Sequence, residues 1–144
     1  MQKISKSPED TKKFATEFVA GLGGLKSDSA TVVGLFGNLG AGKTTFVQYV
    51  AEILGVEGPV TSPTFVILKN YPLNPKPYTL LVHIDAYRLK NGEELKKLGF
   101  KELLNNPGNL ILIEWPENVT EVLPKEMLQI RFEFMGDSTR KIEF

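Results

Sequence analysis

The chain has 144 residues, 42% hydrophobic and 24% charged, a balance typical of one packed globular domain and not of a disordered chain. Its 17 basic and 17 acidic residues cancel, so no overall positive field attracts nucleic acid or an anionic membrane. Cysteine is absent, which excludes disulfides and thiolate-based catalytic or metal sites. No apolar run has the length of a signal-peptide core or a membrane span, and we therefore expect a soluble, cytoplasmic protein.

The N-terminal segment predicts a first helix over residues 7–22. Ser7 is a good N-cap, and Pro8 suits the first turn, where a backbone N–H is not needed. Glu9 and Asp10 follow in that turn, where they interact favourably with the positive end of the helix dipole. Apolar side chains then recur every four residues along one face, at Phe14, Phe18 and Leu22.

A glycine-rich loop follows the first predicted strand. That strand is the nearly continuous apolar run TVVGLF at 31–36, and a helix is predicted over 43–54. Between them, residues 37–44 match the phosphate-binding pattern G-x-x-x-x-G-K-[ST]. Glycines let the backbone curl so that its N–H groups converge, and the helix that follows adds its positive end. The alternative is a glycine-rich turn with a stray lysine, but the flanking strand and helix favour a nucleotide site.

A cluster of hydroxyl residues lies at 61–65, the sequence TSPTF. In other proteins with a phosphate-binding loop, a segment at about this place responds to the γ-phosphate. An ordinary turn at the entry to a strand is the alternative interpretation, and composition alone favours it.

The rest of the chain predicts strands around one more helix. The runs FVILKNY and YTLLVHI suggest an antiparallel hairpin whose loop, PLNPKP, is stiffened by prolines. NGEELKKLGF predicts a short helix that KELL can continue, and NLILIEW, MLQIRFEF and TRKIEF predict three further strands. We therefore expect an α/β fold of the P-loop NTPase type, with a mixed β-sheet flanked by helices and a single small domain over residues 1–144.

Glu114 is the candidate partner of the phosphate-binding loop. In such loops the lysine, here Lys43, reaches the β- and γ-phosphates, and the next hydroxyl, here Thr44, ligates Mg²⁺. A carboxylate must complete that arrangement, and Glu114 ends the apolar run NLILI at the strand end where ligands collect in open α/β sheets. A bound metal would compensate its burial. A carboxylate that simply meets solvent is the alternative.

Asp85 ends another apolar run. It is a candidate for a second magnesium contact or for accepting a proton from the attacking water. A helix cap or a salt bridge with Arg88 is the alternative. His83, the only histidine, lies two residues earlier and on the same predicted strand face, with either a chemical or a structural role. Arg88 suits either a transition-state contact or a structural lock on this loop, and Trp115 suits either core packing or a place beside the nucleotide.

Four motifs in this order resemble the TsaE (formerly YjeE) family: GNLGAGKTTF, SPTF at 62–65, HIDAYRL at 83–89 and LIEWPE at 112–117. The resemblance covers essentially the whole chain, from Ser7–Thr11 to Gly136–Arg140. The phosphate-binding loop is common to a large superfamily, whereas the combination of H-x-D-x-Y-R with E-W-P-E is far more specific. Asn38 departs from the family, where an aspartate is common, and the PLNPKP loop is longer.

The resemblance implies a set of site residues. Asp85, Lys43 and Thr64 would serve catalysis, with Thr64 in a switch-like loop, and Thr44 and Glu114 would hold Mg²⁺. The ATP phosphates would be held by Asn38, Leu39, Gly40, Ala41, Gly42, Lys43, Thr44 and Thr45. The rest of the nucleotide would be approached by Thr11, Glu117 and Arg140.

The family also implies a function, that of a slow, partner-controlled ATPase in bacterial tRNA threonylcarbamoyladenosine (t6A) synthesis. It would act on the TsaB–TsaD complex and reset it between rounds of transfer, so no strong binding to nucleic acid is expected of this chain, whose net charge is zero. A small-molecule kinase is the first alternative, although only three arginines are present and no insertion is long enough for an obvious lid. A GTP-dependent switch is the second, although the chain contains no N/T-K-x-D motif for guanine.

Overall fold

A mixed β-sheet forms the centre of the computed structural model, which describes residues 1–22, 28–63, 66–73 and 78–144. In the described residues the elements are β1 (Gln2–Ser5), α1 (Pro8–Leu22), β2 (Thr31–Phe36), α2 (Lys43–Ile53), β3 (Leu68–Pro72), β4 (Leu80–Asp85), α3 (Gly92–Lys96), α4 (Phe100–Leu104), β5 (Asn109–Glu114), β6 (Leu128–Phe134) and β7 (Arg140–Glu143). Two 3₁₀ turns, Pro116–Asn118 and Thr120–Val122, lie between β5 and β6.

The strand order across the sheet is β1-β7-β6-β2-β5-β4-β3. The central strands β6, β2, β5 and β4 run parallel, while β7, β1 and β3 pair antiparallel with their neighbours. The predicted α/β fold with a mixed sheet is therefore confirmed. Because β2, β4 and β5 are parallel, their carboxyl ends meet at one edge, where Glu114 is in register with both Leu35 and Asp85.

Helices cover both faces of the sheet. On one face, α1 and α2 pack against β2, β4 and β5, with the rings of Phe14 and Phe46 5.6 Å apart. On the other face, α3 and α4 pack against the alternate residues of the same strands, among them Ile84 and Ile113. Every residue of β5 is buried, as a central parallel strand with two covered faces requires.

Most predicted elements are present, with three differences. β1 was not predicted, because QKIS has a single apolar residue and forms a strand only through its pairing with β7. β3 begins at Leu68 and not at Phe65, which lies outside the described residues, and Ile67 just before it has a positive φ of 70°. The helix predicted after Asn91 is two short helices, since Gly99 takes a left-handed conformation, with φ 85°, between α3 and α4.

One expected local feature, the N-cap of α1, is present as predicted. Ser7 caps α1, its Oγ accepting the backbone N–H of Asp10 at 3.2 Å. Of the predicted PLNPKP loop, Pro72 is the last residue of the edge strand β3 and residues 74–77 lie outside the described part. No helix in the described ranges has both the length and the apolar character that crossing a membrane requires.

Candidate nucleotide-binding site

The glycine loop between β2 and α2 has the tight curl that its sequence predicts. Gly37, Gly40 and Gly42 all have positive φ angles, of 143°, 78° and 103°. At Gly37 a Cβ atom would lie 2.5 Å from the backbone oxygen of Phe132, so the loop passes directly against β6. The loop tip, residues 38–40, is exposed, and α2 begins immediately afterwards with its positive end at the loop. This is the geometry of an anion-binding loop.

Lys43 extends its ammonium group back over the loop. Its Nζ donates to the backbone oxygen of Gly37 and lies 3.6 Å from the centroid of the Trp115 ring. Burial lowers the pKa of Lys43, while nearby carboxylates, Glu114 foremost, oppose that shift. A buried cation held by one carbonyl and one aromatic face is a ready partner for an incoming anion.

Thr44 and Glu114 meet although 70 positions separate them in the chain. The Thr44 hydroxyl, in the first turn of α2, lies 2.9 Å from both carboxylate oxygens of Glu114 at the end of β5. A hydroxyl and a carboxylate are the hard oxygen donors that Mg²⁺ prefers. Among the described residues no group of three or more His, Cys, Asp or Glu side chains is placed to hold a metal. The pair therefore fits Mg²⁺, which is usually held by one or two protein groups together with substrate phosphates.

His83 and Asp85 extend this cluster along β4. The fully buried His83 places Nε2 2.6 Å from Oε2 of Glu114, and its Nδ1 has no hydrogen-bond partner in the described part of the chain. Asp85 is also buried, and its Oδ1 accepts the backbone N–H of Tyr87 at 3.0 Å. That contact closes the turn after β4 and is not the helix cap considered from the sequence. The Asp85 side chain nevertheless lines the same cavity as Thr44 and Glu114.

Two adjoining cavities lie along the glycine loop. The first, of about 370 Å³, is bounded by the loop, Asp85, Glu114 and Trp115. The second, of about 270 Å³, lies between α1, α2 and the β6–β7 hairpin and has the apolar side chains of Tyr49 and Phe132 in its walls. Gly42, Thr45 and Arg140 line both. The first cavity has the larger polar share in its lining and adjoins the more apolar second cavity, which suits a molecule with a charged end and a ring-containing end.

Of the residues expected near the rest of the nucleotide, the structure brings two to these cavities. Thr11 lines the second, where its hydroxyl lies 2.6 Å from that of Ser5. Arg140 lines both, with Nη1 donating to the backbone oxygens of Gly136 and Thr139. Glu117 is exposed on the turn after Trp115 and lines neither cavity. Its negative charge nevertheless acts on the Lys43 ammonium group and opposes the lowering of the Lys43 pKa.

The structure describes residues 61–63 of the hydroxyl cluster at 61–65. Thr64 lies outside the described residues, and Ser62, within the cluster, lines the first cavity. Tyr87, which sequence reasoning did not single out, also lines that cavity, with its ring 5.1 Å from Trp115. The signal was its place in HIDAYRL, two residues beyond Asp85.

Trp115 lines the first cavity and also packs, partly buried, against the core on one face of the sheet. It takes a left-handed conformation, with φ 59° and ψ 47°, which a bulky residue rarely adopts. This turn brings its ring out of the line of β5 and under Lys43. Backbone strain of this kind persists only where the surrounding structure holds it, commonly at functional sites.

Comparison with known proteins adds a family to this geometry. A family model described as "Threonylcarbamoyl adenosine biosynthesis protein TsaE" matches residues 5–142. The tRNA threonylcarbamoyladenosine biosynthesis protein TsaE of Rickettsia bellii is 38% identical over 140 residues, which cover 96% of this chain and 90% of the relative. The protein of the same name from Bacillus subtilis is 40% identical over 138 residues, covering 96% and 80%. The crystal structure of Bacillus subtilis YdiB matches with a TM-score of 0.73 and 34% identity over 99% of this chain and 82% of that one.

Proposed function

The chain belongs to the TsaE family of threonylcarbamoyl adenosine biosynthesis proteins, and from this premise we propose that it is the ATPase component of tRNA t6A synthesis. In this proposal it binds ATP with Mg²⁺, hydrolyses the γ-phosphate slowly, and acts on the TsaB–TsaD complex to sustain its turnover. The observation that carries the proposal is the convergence of the Thr44 hydroxyl and the Glu114 carboxylate beside the curled glycine loop.

Phosphate binding is supported by the loop and its lysine. The loop backbone from Asn38 to Thr45 would receive the phosphates at the positive end of α2. Lys43 would then exchange the Gly37 oxygen for phosphate oxygens. That exchange is favourable because burial disfavours the charged form of an ammonium group that lacks a full negative partner.

Magnesium binding is supported by the oxygens of Thr44 and Glu114. When bound, Mg²⁺ neutralises charge on the phosphates as a Lewis acid. For this, the Thr44 hydroxyl must turn its proton away from Glu114 and present a lone pair, while the carboxylate stays in place.

Hydrolysis is assigned to Asp85. Its carboxylate lines the cavity from the end of β4, directly beside Glu114 in the sheet, and suits a group that orients and deprotonates the attacking water. Oδ1 already accepts the N–H of Tyr87. A partner that adjusts the turn after β4 would therefore change the direction of this carboxylate, which supports turnover under partner control.

The second cavity would take the nucleoside part of ATP. Thr11 and Arg140 line it, and the rings of Tyr49 and Phe132 provide flat apolar surface next to the shared residues of the loop. At the mouth of the first cavity lie two large apolar side chains that are well exposed, Leu39 at 68% and Tyr87 at 45%. Exposed apolar groups at the rim support a partner that covers the site, which in this proposal is TsaB–TsaD.

The test is a comparison of phosphate release from ATP and GTP by the purified chain, alone and with TsaB and TsaD. Slow release from ATP that rises when both partners are present is the expected result. Phosphate transfer to added small hydroxyl compounds without release would favour a kinase, and preference for GTP would favour a switch. The same proteins should associate in the presence of ATP and Mg²⁺; failure to associate and absence of hydrolysis would refute the proposal.

A further inference from the structure

His83 is a buried polar side chain that the proposed chemistry does not use. It is the only histidine of the chain, and it has no exposed surface. Its one hydrogen-bond partner in the described residues is Oε2 of Glu114 at 2.6 Å. Among the described residues this buried ring makes its one hydrogen bond to the carboxylate next to Thr44, so packing alone does not account for it.

In the hydrogen bond between His83 and Glu114, the chemistry of the carboxylate decides which group is the donor. An ionised carboxylate only accepts, so the hydrogen between the two groups belongs to Nε2 of His83. The other ring nitrogen, Nδ1, has no acceptor nearby in the described part of the chain, and a buried N–H without a partner is rarer than a buried lone pair without one. Both arguments place the ring hydrogen on Nε2.

The Glu114 carboxylate is thus held from two sides, and one of these contacts is temporary. Thr44 donates its single hydroxyl proton towards Oε1 and Oε2, both at 2.9 Å. A threonine that turns its lone pair to a cation must withdraw that proton from Glu114. His83 then remains as the donor that fixes the carboxylate, because its contact to Oε2 does not involve the threonine.

We infer that His83 is a positioning residue for the metal site, which keeps the Glu114 carboxylate in its metal-binding orientation by donating Nε2–H to Oε2. The inference rests on the proposed binding of Mg²⁺ and nucleotide. Histidine does not touch the metal or the nucleotide in this role, and it needs no change of charge. Outer-shell partners of this kind, when removed, typically reduce metal affinity by about 10–100-fold.

A matched pair of variants separates the hydrogen bond from the volume of the ring. His83→Gln retains an N–H donor at the same number of bonds from Cα as Nε2, whereas His83→Met has similar length and no donor. Mn²⁺ binding to each protein with a non-hydrolysable ATP analogue is measured by electron paramagnetic resonance of the free ion. Analogue binding in EDTA is measured in parallel by fluorescence of Trp115, the only tryptophan.

We expect His83→Met to lose about 10–100-fold in Mn²⁺ affinity and His83→Gln to recover most of it, with analogue binding in EDTA unchanged in both. An Mn²⁺ affinity of His83→Met equal to that of the unaltered protein, or equal losses in the two variants, would overturn the inference. If the unaltered protein binds no Mn²⁺ with the analogue, the proposed function itself is refuted, and the inference with it.

A second measurement needs no variant and so does not depend on the folding of His83→Met. The ring nitrogens of a single histidine give unambiguous ¹⁵N chemical shifts in the metal-free protein. We expect the shifts of a ring that carries its hydrogen on Nε2 and a bare Nδ1. A hydrogen on Nδ1 with a bare Nε2 would contradict the donor role and overturn the inference.

Discussion

Two clusters of charged side chains in this molecule each combine one lysine with two carboxylates and differ in their access to water. At the carboxyl edge of the sheet, Lys43, Asp85 and Glu114 are each no more than 6% exposed. On the β6–β7 hairpin, Lys141 pairs with Glu143 at 3.0 Å and with Glu133 at 3.9 Å, and all three side chains are substantially solvated.

This difference in exposure shows which charged groups depend on a protein partner and which are stabilised by water. On the hairpin, water solvates either partner after the other is removed, so an exposed ion pair adds little to stability. At the sheet edge, Lys43, Asp85 and Glu114 each make hydrogen bonds to other protein groups, and removal of one group leaves its partner buried and unsatisfied. A bound cation or phosphate can satisfy such groups, and for this reason the edge cluster and not the hairpin cluster is the candidate site.

The largest effect should come from Asp85→Asn. An amide oxygen can still accept the N–H of Tyr87, so the turn after β4 should persist while the proton acceptor is lost. We expect ATP turnover with TsaB and TsaD to fall by about 10²-fold or more, with nucleotide affinity within a few-fold of the unaltered protein. The two quantities are measured by phosphate release and by Trp115 fluorescence. Unchanged turnover would reduce Asp85 to its structural contact.

Glu114→Ala should have the next largest effect, and only where magnesium is present. The substitution removes a carboxylate and leaves the glycine loop in place. We expect nucleotide binding in Mg²⁺ to weaken beyond the roughly 10–100-fold typical of losing an outer-shell partner, with binding in EDTA nearly unchanged. Titration of a fluorescent ATP analogue in the two buffers measures both. Equal weakening in Mg²⁺ and in EDTA would mean that Glu114 is not a metal ligand.

Lys43→Met should change how stability depends on pH in the nucleotide-free protein. Burial lowers the pKa of Lys43 below its unfolded value of 10.5, so between those two values the unfolded chain binds more protons. The free energy of unfolding should therefore rise with pH through this window, and Lys43→Met should lose that contribution. Urea unfolding of both proteins from neutral to alkaline pH tests the sign. Parallel pH curves would contradict the burial argument.

The smallest effect should come from Glu143→Ala on the hairpin. A hydrogen bond from Lys141 lowers the pKa of Glu143, but the side chain is 44% exposed to water, so the pair should contribute almost nothing to stability. We expect no measurable change in the urea midpoint, in nucleotide affinity or in magnesium dependence. The variant is the matched carboxylate control for Glu114→Ala. A loss of magnesium-dependent binding here would remove the distinction between the two clusters.

The sequence by itself determined the local elements and the family. The four-residue spacing in α1, the apolar runs of β2, β4 and β5, and the glycine loop each depend on neighbouring residues, and all appear where they were predicted. The resemblance to the TsaE family, read from four motifs, is confirmed by the family model and by relatives covering nearly the whole chain. The roles expected of individual residues, with ATP, Mg²⁺ and TsaB–TsaD, remain proposals.

Tertiary structure decided the contacts that no local pattern of the sequence indicated. β1 exists because β7 offers it a free edge, and no pattern in QKIS carries that information. The contact of His83 with Glu114 depends on β4 and β5 being parallel neighbours in one register, since the two residues are 31 positions apart. Glu117, expected near the nucleotide, is exposed on the turn after Trp115 and lines neither cavity. Hydrogen bonds act over about 3 Å, and chain folding, not sequence spacing, sets which groups come that close.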